Sequence, residues 1–410
     1  MEQKRFVKVG LSTDNFRAYV GVIEEEVDGY LNHDPAFSTF QAGTDEWGSF
    51  DVMNVLQEMT ILTASRTLQG KEVRAGLDKT FSALYNDLDG GFTPLNFILP
   101  NLPLPSYRRR DVAHTKMSAF YVNIIRKRRE SGNVCSFLSK RSISSYFYLQ
   151  HDESDMIEAL MHQKYKNGKP LKDHEIAHIM IALLMAGQHT SSSSGSWTLL
   201  HLAANPEVQE ALYQEQLKHF GTPDGKMRSM TYEELRTLPL MDAVIRETLR
   251  LHPPIHSIMR KVRDDVVVPP SLSAPSKDKT YIVRKGHFVL ACPAVSQTDP
   301  LVWKESQNWD PYRWSDPEGV AAQAFKVYAD EDGEKIDYGF GAVSKGTESP
   351  YQPFGAGKHR CIGEQVRSYS STLFILPDPA PLAVCLPPTW HSCRYCHSSN
   401  GITNCEGSRS

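Results

Sequence analysis

The sequence predicts a mostly α domain with a minor β part, and three observations predict it. Apolar residues recur three and four apart along much of the chain, β-branched runs are few and short, and no internal repeat is present.

Taken in order, residues 1–90 read mainly as helices, with the spacing clearest in Asn15 to Val20 and Phe50 to Leu56. Prolines then punctuate the chain from Phe92-Thr93-Pro94 to Leu104-Pro105, which excludes regular helix and predicts an ordered loop. Residues 111–130 read as helix ending near Ser131-Gly132-Asn133. A strongly apolar helix opens at Ile176, with Asp173 as its N-cap, and runs into Gly187-Gln188-His189-Thr190-Ser191. Trp197 to Leu202 resume the apolar pattern, so one long helix with a polar interruption is expected. Tyr232 to Leu251 reads as a further helix, stopped by Pro253-Pro254. Val266-Val267-Val268 and Tyr281-Ile282-Val283 suggest a small sheet.

A chain of 410 residues with 40% hydrophobic and 23% charged residues can bury a sizeable core, as two average domains or one large one. A formal charge of −3 excludes a protein dominated by phosphate contacts, so no nucleic-acid partner is expected. The basic runs Arg108–Arg110 and Arg126–Arg129 read as solvated helix faces or turns. The charged start Met1-Glu2-Gln3-Lys4-Arg5 is unlike a signal peptide. The longest apolar run, Ile179 to Ala186, falls short of the roughly 20 residues that cross a bilayer, so the chain as written carries no anchor. Of seven cysteines, Cys135, Cys292 and Cys361 alone precede residue 366, which fits a reducing compartment rather than a disulfide framework.

The strongest motif is Phe354-Gly355-Ala356-Gly357-Lys358-His359-Arg360-Cys361-Ile362-Gly363. A lone cysteine is most simply a buried structural residue, but the surrounding residue types suit a reactive thiolate. Backbone N–H groups at a helix start and the cations Lys358 and Arg360 would favour the charged sulfur. Gly355 and Gly357 permit a tight turn. The segment resembles the haem-binding loop of cytochromes P450, F-x-x-G-x-x-x-C-x-G. The resemblance implies that fold, haem b (iron protoporphyrin IX) as cofactor, Cys361 as iron ligand, and Phe354, Gly355 and Gly363 beside the haem.

Two further constellations agree. Glu247 and Arg250 lie three apart, on one helical face, which alone reads as a surface ion pair. In P450s such an E-x-x-R pair is internal and joined by a downstream arginine, a place filled here by Arg313 within Asp310-Pro311-Tyr312-Arg313-Trp314. Ala186-Gly187-Gln188-His189-Thr190-Ser191 is similar to the stretch of the long helix that P450s distort over the haem. Thr190 would donate a hydrogen bond to oxygen there, and His189 stands where most of the family has an acid.

Gln188-His189-Thr190 resembles the sterol 14α-demethylases, particularly those of fungi, as do Gly91 to Phe97, Leu251 to Arg260 and Thr63 to Glu72. The resemblance runs from residue 1 to about 365, giving a partial catalytic domain over 1–365 and a non-homologous, disordered tail over 366–410. It implies a monooxygenase that removes the 14α-methyl group of lanosterol or eburicol in ergosterol biosynthesis. O2, a sterol, an NADPH–cytochrome P450 reductase and the endoplasmic reticulum membrane are the implied partners and setting. His189 and Thr190 would be catalytic. Phe92, Pro94, Phe97, Ala182, Leu183, Ala186, Ile255, His256 and Ser257 would line the sterol pocket, and Lys4, Arg260 and His359 would face the haem propionates.

The sequence departs from the family twice, so a fold incomplete at both ends is expected. It starts beyond the membrane helix, most of the sheet and the first helices of such enzymes. After Gln365 it turns to Val366-Arg367 and proline- and cysteine-rich text, as an unspliced intron or a frameshift would. His391, Cys393, Cys396, His397 and Cys405 have a zinc-like look that we read as accidental composition. Two alternatives stay open: an inactive remnant, and a P450 for another apolar substrate.

Overall fold

A computed structural model describes residues 2–42, 47–77, 79–91, 93, 95–96, 99, 101–138, 155–223, 227–270, 280–329, 349–364, 382–385 and 393–397. The chain forms two compact units, residues 1–242 with 362–410, and residues 243–361.

The first unit is built from helices α1 (Glu2–Gly10), α2 (Thr13–His33), α3 (Val52–Ala64), α4 (Lys71–Ala75), α5 (Lys79–Asp89), α6 (Pro105–Leu138), α7 (Met156–Met161), α8 (Asp173–Ala204), α9 (Pro206–Phe220) and α10 (Tyr232–Leu235). Short polar side chains start several of them. Ser12 accepts from the Asn15 amide at the head of α2, and Asp51 from the Asn54 amide at the head of α3. After α3 the chain makes a π-helical turn, Ser65–Gln69, then turns at Gly70 with φ +97°. Phe6, Phe81, Tyr121, Ile125, Met180 and Leu184 pack in one core from α1, α5, α6 and α8. Burying each removes apolar surface from water, at about 1.5–3 kcal/mol per large side chain.

Three expectations are corrected here. Helix α6 begins at Pro105, inside the expected loop, because proline at a first helical turn loses no hydrogen bond, and it runs on to Leu138. Asp173 is the first residue of α8 rather than its N-cap. Its carboxylate takes a hydrogen bond from Arg129, and Glu175 accepts from the Lys172 amide instead. By contrast, α8 is the one long helix expected, and its polar stretch is accommodated because its hydroxyls fold back onto the helix. Thr190, Ser192 and Thr198 donate to the carbonyls of Ala186, Gln188 and Ser194 at 2.7–2.8 Å. The stretch 232–251 is two helices, since Pro239 restarts it as α11 (Pro239–Leu251).

Two short segments of the tail are described. Leu382–Cys385 (β6) and Cys393–His397 (β7) form antiparallel strands, with β7 central and β1 (Trp47–Phe50) on its other side. The apolar, partly β-branched run Leu382-Ala383-Val384 suits a strand even in proline-rich surroundings. Residues 391 and 405 of the zinc-like pattern lie outside the described residues. Among the described residues no group of three or more His, Cys, Asp or Glu is placed to hold a metal ion, and no helix is long and apolar enough to cross a membrane.

The second unit holds the end of α11 and two antiparallel ribbons. β2 (Ile258–Lys261) pairs with β5 (Phe288–Ala291), and β3 (Val266–Val268) with β4 (Tyr281–Val283), the pairing the β-branched runs predict. Helices α12 (Pro293–Ser296) and α13 (Val320–Ala329) follow. An aromatic core gathers Trp303, Tyr328 and Tyr351, with Trp314 against Tyr351 at 5.0 Å between ring centres.

Candidate functional site

In the second unit the site is built outward from α11. Glu247 and Arg250 are both fully buried and joined by paired hydrogen bonds of 2.9 and 2.8 Å. Arg313 adds a third charge at 2.9 Å from Glu247, as the residue order predicts. The Glu247 carboxylate also accepts from the Asp310 amide and the Trp314 indole N–H. Arg250 spends its remaining donors on the carbonyls of Gln297, Ser306 and Asn308. A buried ion pair is tolerable only when such extra bonds satisfy its remaining lone pairs and protons. The bland reading of a surface pair is thereby excluded. Gln297 and Trp314 are members of this cluster that the sequence reading missed, although Trp314 sits in the very segment that supplied Arg313.

The cysteine loop follows. Gly355 and Gly357 take φ of +70° and +64°, the conformation their spacing predicts. The Cys361 amide closes the loop onto the Phe354 carbonyl at 3.0 Å, and the Tyr328 hydroxyl donates to the Gly355 carbonyl. Arg360, expected as a cation for the sulfur, is instead buried. Its guanidinium donates to the Tyr328 carbonyl at 2.7 Å and lies over the Tyr328 ring. It therefore clasps the loop to α13. Cys361 is an exposed thiol in no disulfide, with Gly363 two residues beyond. His359 is exposed, as are Ile255, His256 and Arg260, while Ser257 is half-buried. The loop lies near β2, for a Cβ on Gly355 would stand 3.6 Å from Ile258.

In the first unit, α8 presents Ala182, Leu183, Ala186, His189 and Thr190 along an exposed to half-buried stripe, while Gln188 points inward. His189 Nε2 is 2.8 Å from Asp89 Oδ1, and the Tyr85 hydroxyl donates to Gln188 Oε1 at 2.8 Å. Tyr85 and Asp89 are one turn apart on α5, so two consecutive residues of α8 meet two same-face residues of α5. Burial and the Asp89 charge hold the Tyr85 phenol neutral well above the usual range. Asp89 and Tyr85 were not foreseen, since their pairing depends on how two helices cross. Lys4 is half-buried on α1. Phe92, Pro94 and Phe97 lie outside the described residues.

An iron porphyrin fits what the second unit offers. One exposed thiol is held on a loop whose glycines leave a bare backbone approach, and a thiolate is a soft axial donor for iron.

Comparison with known proteins agrees. The cytochrome P450 family matches residues 2–375, past Gln365. A lanosterol 14-alpha demethylase of Mycosarcoma maydis is 53% identical over 371 residues, covering 89% of this chain and 63% of that protein. A sterol 14-alpha demethylase of Aspergillus sclerotiorum is 45% identical over 378 residues, covering 92% and 66%. The chain thus spans less than two thirds of the length of these curated relatives. In fold, it is similar to the retinoic acid-bound cyanobacterial CYP120A1, with a TM-score of 0.67 at 20% identity, over 96% of this chain and 77% of that one. With the thiol loop, the buried Glu–Arg–Arg cluster and these matches together, the chain belongs to the cytochrome P450 family.

Proposed function

We propose that the chain carries the haem-thiolate chemistry of a sterol 14α-demethylase, acting on lanosterol or eburicol in ergosterol biosynthesis. Three successive oxidations would release the 14α-methyl carbon as formate, using O2 and electrons passed from NADPH by a flavoprotein reductase. The observation that carries this reading is the exposed Cys361 on its ten-residue loop, in a chain 53% identical to a lanosterol 14-alpha demethylase.

Cys361 would hold a haem b iron through its sulfur, and the bound group would supply the activation of O2. The chain's residues bind, orient and move protons. Ala182 and Ala186 are small and exposed, leaving room beside α8, and Leu183 offers apolar surface. Phe92, Pro94, Phe97, Ile255, His256 and Ser257 complete the proposed sterol lining. His189 Nε2 lies 2.8 Å from the half-exposed Asp89 carboxylate, and this pair is the proposed proton relay. The Thr190 hydroxyl rests on its own helix and can rotate to donate elsewhere without leaving a buried group unpaired. Lys4, Arg260 and His359 are the proposed cations for the propionates. The endoplasmic reticulum membrane is the proposed setting.

The reduced carbon monoxide difference spectrum of the haem-loaded chain, paired with lanosterol turnover, tests this. A thiolate-type Soret band with formate release is expected. A thiol-type band, or none, would leave an inactive remnant. A thiolate-type band with turnover of some other apolar compound alone would reassign the substrate.

A further inference from the structure

Gln297, at the C-terminal end of α12, is fully buried, and each of its polar side-chain atoms is used. Its Nε2 donates to the carbonyls of Leu249 and Arg250, at 3.0 and 2.9 Å. Those carbonyls belong to the last turn of α11, where the helix itself offers no donor. Its Oε1 accepts the Gln352 amide at 2.8 Å. Its backbone carbonyl takes Arg250 Nη1, so Arg250 and Gln297 each donate from side chain to the other's main chain. From Gln352 the connection continues along backbone. The Gly355 amide donates to the Gln352 carbonyl, and the Cys361 amide to that of Phe354.

We propose that Gln297 is a positioning residue that fixes the start of the Cys361 loop to the end of the Glu247–Arg250 helix. Few side chains could serve. The task needs two donors and an acceptor at one planar tip, which a primary amide has and a hydroxyl, carboxylate or imidazole lacks. Leucine fills a similar volume but strands two carbonyls and one N–H in a buried place. The consequence for iron ligation rests on the proposed function, whereas the tether itself does not.

The test is amide hydrogen exchange on the full chain without haem, comparing Gln297→Leu with Ala324→Gly, a helix variant in the same unit that serves as a stability control. For Gln297→Leu, the Gln352, Gly355 and Cys361 amides should exchange about tenfold faster than global unfolding explains. In the control they should follow global stability alone. Gln297→Glu keeps the acceptor and loses the donors, so it should protect Gln352 while the end of α11 frays, a second arm should the leucine variant fold poorly. After haem loading, the leucine variant should show a larger share of thiol-type carbon monoxide band than the control at equal folded fraction. Equal exchange in the leucine variant and the control, or unchanged Gln352 protection in a folded Gln297→Leu chain, overturns the proposal. A parent chain that takes up no haem would sink the functional reading and leave the exchange result standing.

Discussion

Glu247 gathers donors from Arg250, Arg313, Asp310 and Trp314 on one buried carboxylate. Removing one partner of such a pair strands the others' charge in a dry place. Glu247→Ala should therefore cost about 3–5 kcal/mol in denaturant unfolding. The opposite case is Ser194, whose buried hydroxyl is reached by no hydrogen bond among the described residues. Ser194→Ala removes that unsatisfied group and improves helix propensity, so it should leave stability unchanged or raise it by about 1 kcal/mol on thermal unfolding. His252, just past α11, is driven down to about 4 by burial and by the Arg250 charge. Its folded value lies below its unfolded one near 6.5, so in that interval the unfolded chain takes up a proton that the folded chain refuses. Stability is then full above the upper value and falls as pH drops toward about 4. A urea titration across that window should show the slope, and His252→Asn should flatten it.

At the scale of elements, the turn between the π-helical segment and α4 has the least tolerance. Gly70 sits at φ +97°, and a Cβ there would stand 1.9 Å from Asp155 Oδ2. That carboxylate is held bidentate by Arg128, which also pairs with Glu72. Gly70→Ala thus meets backbone strain and a clash with a fixed group at once. It should destabilise by at least ~2 kcal/mol in calorimetry. Elements of this kind were partly legible in the sequence. The cysteine loop, the E-x-x-R helix, Arg313 and the β3–β4 pairing could be read because each is a local pattern or an ordered series of them. The start of α6 at Pro105 was misread because proline breaks a helix interior yet suits its first turn. The continuity of α8 was legible because Trp197 to Leu202 resume the apolar pattern beyond the serines, whose hydroxyls bond back onto the helix. Asp89, Tyr85 and Gln297 gave no signal, since an isolated polar residue acquires meaning only from the partner that the fold brings across.

At the scale of the molecule, the proposed site residues fall in both units. The first carries the stripe of α8 with His189 and Thr190, and the second carries the thiol. Because Cys361 is exposed, its replacement should touch chemistry and spare the fold. Cys361→Ser should change unfolding free energy by less than about 0.5 kcal/mol while abolishing the thiolate-type carbon monoxide band. The buried cluster of the second unit has a different reach. Arg250 finishes on carbonyls at Gln297, Ser306 and Asn308, roughly fifty residues downstream along the chain. A refolding chain that collapses α11 early would bury a guanidinium with nothing to receive its protons. The favourable order is for that helix end to remain wet until the segment from 297 to 313 has been threaded past it. Closing a loop of this size costs entropy before any contact offsets it. The second unit should accordingly cross its folding barrier late and as one step, with Arg250 dehydrating only at the end.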